Sequence, residues 1–217
     1  MLPLPATDEL LRRLPRLLLG LVFFGMGIGL MVRADLGLAP WDVLHQGVSE
    51  RTGISIGVVT ILTGIVVLLL WIPIRERPGL GTVLNVLVIG VVVDLTLAVV
   101  DAPEAMWQRI GLLVVGVYVF GPGSGWYIGA GLGPGPRDGL MTGIARRGHS
   151  LHVVRTGIEL SVLLLGFLLG GSVGVGTVVF ALTVGPNVHW HLDRMTMPEA
   201  RPRNNPLDEP PGYLEAL

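Results

Sequence analysis

Six apolar stretches, separated by short polar or Gly/Pro-rich segments, dominate the chain: 17–32, 56–74, 80–100, 110–130, 151–170 and 174–193. A helix that crosses a bilayer needs about 20 largely apolar residues, so the pattern predicts six spanning helices. The first stretch is a little short, and Pro122 and several glycines loosen the fourth. Between the first and second stretches, 39–51 is too polar and too short to cross. Its Pro40 suits the first turn of a helix, where the backbone N–H is unpaired in any case. Asp42 complements the positive end of that helix. The segment from Leu132 to Leu140, with Pro136 and Asp138, repeats the same break followed by a short helix start. From Pro198 onward Pro, Asn and charge accumulate, which predicts a flexible solvated tail.

Composition supports a membrane reading. The chain has 217 residues, of which 51% are hydrophobic and 14% charged, against about 25% charged in soluble domains. Mean hydropathy is +0.68. A net charge of −1 without a basic patch argues against nucleic acid as a partner. All 15 basic residues are Arg, and the absence of Cys excludes disulfides and thiolate metal sites. Arg12, Arg13 and Arg16 precede the first apolar run, and Arg33-Ala34-Asp35 follows it where a cleavage site would need small residues, so a retained first span is expected. With the N-terminus in the cytoplasm, the inner segments hold 11 Arg (12, 13, 16, 75, 77, 137, 146, 147, 194, 201 and 203) and the outer ones three (33, 51 and 109). The positive-inside rule then places both termini inside a bacterial inner membrane, with an even number of crossings.

The chain also repeats itself. Residues 20–47 and 116–143 share 12 identities in 28 positions, among them Gly25/Gly121, Gly27/Gly123, Gly29/Gly125, Pro40/Pro136 and Asp42/Asp138. After a one-residue deletion, 53–94 and 148–189 share 15 in 42, including Gly79/Gly174, Gly81/Gly176 and Thr82/Thr177. The expected organisation is a cytoplasmic segment 1–16, one three-helix repeat over 17–102, a second over 103–193, and a cytoplasmic tail 194–217. Three spans per repeat is odd, so the halves are expected to enter the membrane from opposite sides, a plan common in secondary transporters.

Candidate chemistry lies in the repeated Pro–Asp starts and in the fifth span. Helix N-termini carry free N–H groups and favour negative charge. Pro40-Trp41-Asp42 and Pro136-Arg137-Asp138 therefore either hold a ligand or cap their own helices, the second being worth about 0.5–1 kcal/mol. The halves differ here, with Trp41 aligned to Arg137. Glu159 lies about eight residues into the fifth span, where a carboxylate is costly and is by default a functional candidate. Arg155, one turn earlier, is its expected partner, and a structural ion pair is the alternative reading. Asp94, its counterpart His189, and Asn85 are weaker candidates. The G-x-G-x-G ladders suit close helix packing, with dimerisation as a second reading. Enzyme motifs fail: Gly170-Gly171-Ser172-Val173-Gly174 sits in an expected turn without a preceding strand, and His189 and His191 are two apart on one helix. No enzymatic activity, cofactor or metal is expected.

The run from Gly25 through Gly27, Gly29, Leu30, Leu36 and Gly37 to Pro40-Trp41-Asp42-Val43-Leu44, with its second copy Gly131 to Leu140, is similar to small bacterial membrane proteins of the YczE/YitT-like type, over roughly residues 15–195. That resemblance implies a multi-pass membrane protein and transfers no site residues. The functional expectation is a small secondary transporter or exporter of a small polar or anionic solute, working by alternating access and coupled to a proton or cation. Its expected site comprises Trp41, Asp42, Arg137, Asp138, Arg155 and Glu159, with the lipid bilayer and the solute as partners. A non-transporting accessory or scaffold protein and a homodimeric channel are the alternatives.

Overall fold

Eight α-helices and no strand occupy residue 2 and residues 5–198, the residues that the computed structural model describes. In chain order they are α1 (Thr7–Ala34), α2 (Pro40–Thr52), α3 (Ile56–Ile74), α4 (Leu80–Val99), α5 (Met106–Gly129), α6 (Pro136–Ala145), α7 (Leu151–Leu168) and α8 (Val175–Met195). The expected tail, with Arg201 and Arg203, lies outside the described residues. Helices α1, α3, α4, α5 and α7 are long and apolar enough to cross a bilayer. Helix α8 coincides with the sixth apolar stretch and has 21 residues, about 32 Å at 1.5 Å per residue. It is not among those five, because its last turns carry Asn187, His189, His191, Asp193 and Arg194. Helix α1 starts ten residues before the apolar run, at Thr7. Its first turn holds Asp8 and Glu9, which suit the positive helix end, and Glu9 pairs with Arg13 at 3.1 Å.

The outer faces are apolar. Leu62, Val66 and Leu69 of α3, Leu87, Val91 and Leu95 of α4, and Leu160, Leu164 and Leu168 of α7 are all exposed. A continuous apolar exterior of this extent suits a lipid surround rather than water.

Small residues set the centre of the fold, where α1 crosses α5. A Cβ on Gly27 would stand 2.9 Å from the Gly116 carbonyl oxygen, and one on Gly123 would stand 3.2 Å from the Gly20 carbonyl oxygen. Gly20 aligns with Gly116 and Gly27 with Gly123, so one contact is made twice with the halves exchanged. The remaining packing follows the same exchange. Helix α1 packs on α4 as α5 packs on α8, α2 on α7 as α6 on α3, and α2 on α3 as α6 on α7. The exception is α3 against α4, whose counterparts α7 and α8 barely touch.

Two docked loops hold the short helices in place. The Gly81 N–H donates to Leu132 O at 2.8 Å, and the aligned Gly176 N–H donates to Leu36 O at 2.7 Å. Each loop turns at a glycine with positive φ, Gly37 at 109° and Gly133 at 121°, a conformation that L side chains rarely adopt. Thr82 Oγ1 donates to Pro134 O at 2.7 Å, which fixes the entry to α6. Trp71 of α3 donates from Nε1 to Pro136 O at 3.0 Å, and its ring lies where a Cβ on Gly139 would be. In the other half the large and small residues trade places: Gly166 takes the position of Trp71 and packs on the backbone of Val43 and Leu44.

The loosened fourth stretch is a helix after all. Pro122 has no N–H to give to the carbonyl four residues back, which leaves Tyr118 O without its helical donor. Asn187 Nδ2 of α8 donates there at 3.0 Å and to Val117 O at 2.9 Å. Gly121 makes room, since a Cβ there would collide with the Asn187 side chain. Asp94 plays a structural part, accepting from Ser55 Oγ at 2.6 Å and from the Gly57 N–H at 2.8 Å and so tying down the start of α3.

Candidate functional site

The loops that dock on α4 and α8 bring the first turns of α2 and α6 to one cavity of about 160 Å³, to which all eight helices contribute. Pro40, Trp41 and Asp42 line it from one half, and Gly135, Pro136, Arg137 and Asp138 from the other. Neither short helix has a side-chain cap at its N-cap residue, Ala39 or Gly135. Arg155 and Glu159 reach the cavity from α7. All six residues singled out from the sequence therefore border one space, although more than a hundred positions separate the first from the last.

Their charges are arranged in pairs. Asp42 is 2% exposed. Its Oδ1 lies 3.6 Å from the Arg137 guanidinium and 3.4 Å from His45 Nδ1. Arg137 also stands over the Trp41 ring, 5.0 Å from its centroid, a cation–π geometry. The two positions at which the repeats differ, Trp41 and Arg137, thus touch one another. Arg155 Nε donates to Glu159 Oε1 at 3.0 Å, the expected one-turn pair. Asp138, half-buried, lines the same cavity and belongs to neither pair.

Several cavity residues went unnoticed in the sequence. His45 is fully buried. Its Nδ1 lies 3.1 Å from Thr60 Oγ1, whose own proton goes to Ile56 O at 2.9 Å. With that proton committed, His45 Nδ1 is the donor toward Thr60. Among the described residues, His45 Nε2 and Trp41 Nε1 are buried without a hydrogen-bond partner. The one available signal for His45 was its spacing, three residues after Asp42 and so on the same helix face. Tyr127 and Ser124, which also line the cavity, looked like ordinary positions of a glycine-rich span. Asp94 and His189 are not among the lining residues; His189 pairs instead with Asp193 at 3.4 Å on a half-exposed face.

A bundle of apolar helices enclosing a charged cavity defines a helical membrane protein. The chain belongs to the family of unknown function DUF6198, whose model matches residues 11–192. It is 44% identical over 178 residues to an uncharacterized protein of Haemophilus influenzae, covering 82% of each chain. It is 33% identical over 181 residues to the uncharacterized membrane protein YczE of Bacillus subtilis, covering 82% of this chain and 84% of that one. The uncharacterized protein YyaS of Bacillus subtilis matches at 25% identity over 178 residues, covering 79% and 88%. The YczE-like resemblance read from the glycine and Pro-Trp-Asp signatures is therefore correct. No solved structure matches the chain.

Proposed function

We propose that this protein is a small secondary transporter of a small polar solute, working by alternating access at the cavity between its halves. In this reading α1, α3, α4, α5, α7 and α8 are six spans, the halves are inverted repeats, and both termini face the cytoplasm of a bacterial inner membrane. The observation that carries the reading is the cavity, where two uncapped helix starts and five formally charged side chains meet inside an apolar exterior. Charge held there is costly, and packing alone would be served more cheaply by apolar residues. The lining positions support a midplane depth: Asn85, Val86 and Ile89 fall in the middle of α4, and Phe180, Val184 and Val188 in the middle of α8. Packing contacts that recur with the halves exchanged suit two conformations of similar energy, one open to each side.

The engagement of Arg137 with Asp42 and of Arg155 with Glu159 weakens the case for an anionic cargo and leaves the polar one. Glu159 is the proposed coupling group, because its partner at 3.0 Å lies on its own helix and the equivalent position in the other half is Gly64. The test is proton flux driven by added solutes in liposomes containing the purified protein. Wild-type protein acidifies or alkalinises the lumen with at least one solute class, and Glu159→Gln abolishes the proton movement while remaining folded. Absence of solute-dependent flux across all classes would leave the accessory role as the better account. Protease cleavage near Arg146 from outside the cell would overturn the proposed orientation.

A further inference from the structure

The same cavity carries a statement about the charge of its solute, resting on the transporter reading just given. We infer that the solute is a small organic cation, a protonated amine or quaternary ammonium compound, with Asp138 as its counter-ion. The charge balance of the cavity favours a cation. Among the described residues the lining holds three carboxylates, Asp42, Asp138 and Glu159, and two guanidiniums, Arg137 and Arg155. With His45 neutral the formal sum is −1 (two positive, three negative). Arg137 is taken by Asp42 and the Trp41 ring, and Arg155 by Glu159. Among the described residues Asp138 belongs to neither pair, so the surplus negative charge centres on it. An anion entering here would have to draw a guanidinium away from a carboxylate that is itself shielded from water.

Polar groups also gather beside that carboxylate. A Cβ on Gly135 would stand 2.9 Å from Tyr127 Oη, 3.1 Å from Asp138 Oδ2 and 3.6 Å from Asn85 Nδ2. A hydroxyl, a carboxylate and an amide thus converge against the backbone of Gly135, which admits them because it carries no side chain. The other half lacks this grouping: the residues aligned with Gly135, Tyr127 and Asn85 are Ala39, Met31 and Phe180. Aromatic rings supply the rest of the lining, from Phe24, Trp41, Phe120, Tyr127 and Phe180, and ring faces attract ammonium groups. The unpartnered Trp41 Nε1 offers its proton to a neutral oxygen on the solute. At about 160 Å³ the space resembles cavities that take a benzene-sized ligand.

Binding is tested without a gradient, on the full chain in lipid nanodiscs, by calorimetry with ethanolammonium, tetramethylammonium, propionate and 1-propanol. The two cations bind saturably and the other probes do not. Asp138→Asn weakens cation binding by about tenfold or more, as expected for losing a charge-assisted contact, and Glu50→Gln, on the exposed end of α2, leaves it unchanged. Gly135→Ala keeps the Asp138 carboxylate but pushes it and Tyr127 Oη out of place, and it weakens binding comparably, which provides a second readout should the Asp138 variant not fold. Preferential binding of propionate, cation binding indifferent to both variants, or no binding by any probe overturns it. Cation binding without flux in liposomes would refute transport alone, whereas flux driven by propionate would refute the cation alone.

Discussion

Replacing Asn187 by valine, the residue at the equivalent position 92, removes the side chain that serves the backbone carbonyl opened by Pro122. Both Asn187 bonds, to Tyr118 O at 3.0 Å and Val117 O at 2.9 Å, are lost. Val117 O keeps the helical donor four residues on, whereas Tyr118 O keeps none, because residue 122 is proline. An unmatched carbonyl shielded from water costs about 1–3 kcal/mol, and lipid supplies no substitute donor. For a chain of this length that corresponds to a fall in Tm on the order of 2–10 °C. Thermal unfolding in lipid nanodiscs reads the change. The mechanism is isolated by repeating the substitution in a Pro122→Ala background, where the restored N–H satisfies Tyr118 O within α5. There Asn187→Val should cost less, by about 1 kcal/mol or more. An equal cost in both backgrounds would refute the reasoning, showing that Asn187 acts through packing against Gly121 rather than through the freed carbonyl.

Trp71→Phe deletes the bond to Pro136 O and should cost about 1–3 kcal/mol, while Gly139→Ala forces a Cβ into the indole ring and should cost a similar amount by overpacking. Because the two side chains meet, the double variant should fall short of the sum in thermal unfolding; simple additivity would place the Trp71 contact elsewhere. Asp42→Asn strands Arg137 and should destabilise more than Asp42→Asn combined with Arg137→Gln. The single change should cost less than the roughly 3–5 kcal/mol of a fully buried pair, because the Arg137 side chain remains 27% exposed. Equal stability of the two variants would show that the pair carries no net energy.

Much of this protein was legible in its order of residues. Long apolar runs must become helices in a medium without water, because every backbone group needs an internal partner, and six such runs appear as helices, five with ends near those expected and the first extended ten residues upstream. Pro40 and Pro136 marked the two short helices because a residue without an N–H belongs in a first turn. The paired glycines were readable for the same kind of reason: Gly27, Gly123, Gly37 and Gly133 stand where close approach or a positive φ leaves no room for a side chain. Glu159 and Arg155 were readable as a pair, since helical spacing alone puts them one turn apart.

Other features depended on which helices meet. That Trp41 and Arg137 face each other is decided by the docking of α2 and α6 across the cavity, and no local pattern encodes it. Asn187 became the partner of Tyr118 only once α8 lay against α5. His45 met Thr60, and Tyr127 joined Asn85 and Asp138, because separate helices converge on one small space. Local sequence sets backbone conformation through hydrogen bonding and sterics over a few residues. The site consists of side chains brought together over long separations, and only tertiary packing determines which charges neutralise one another and which one is left.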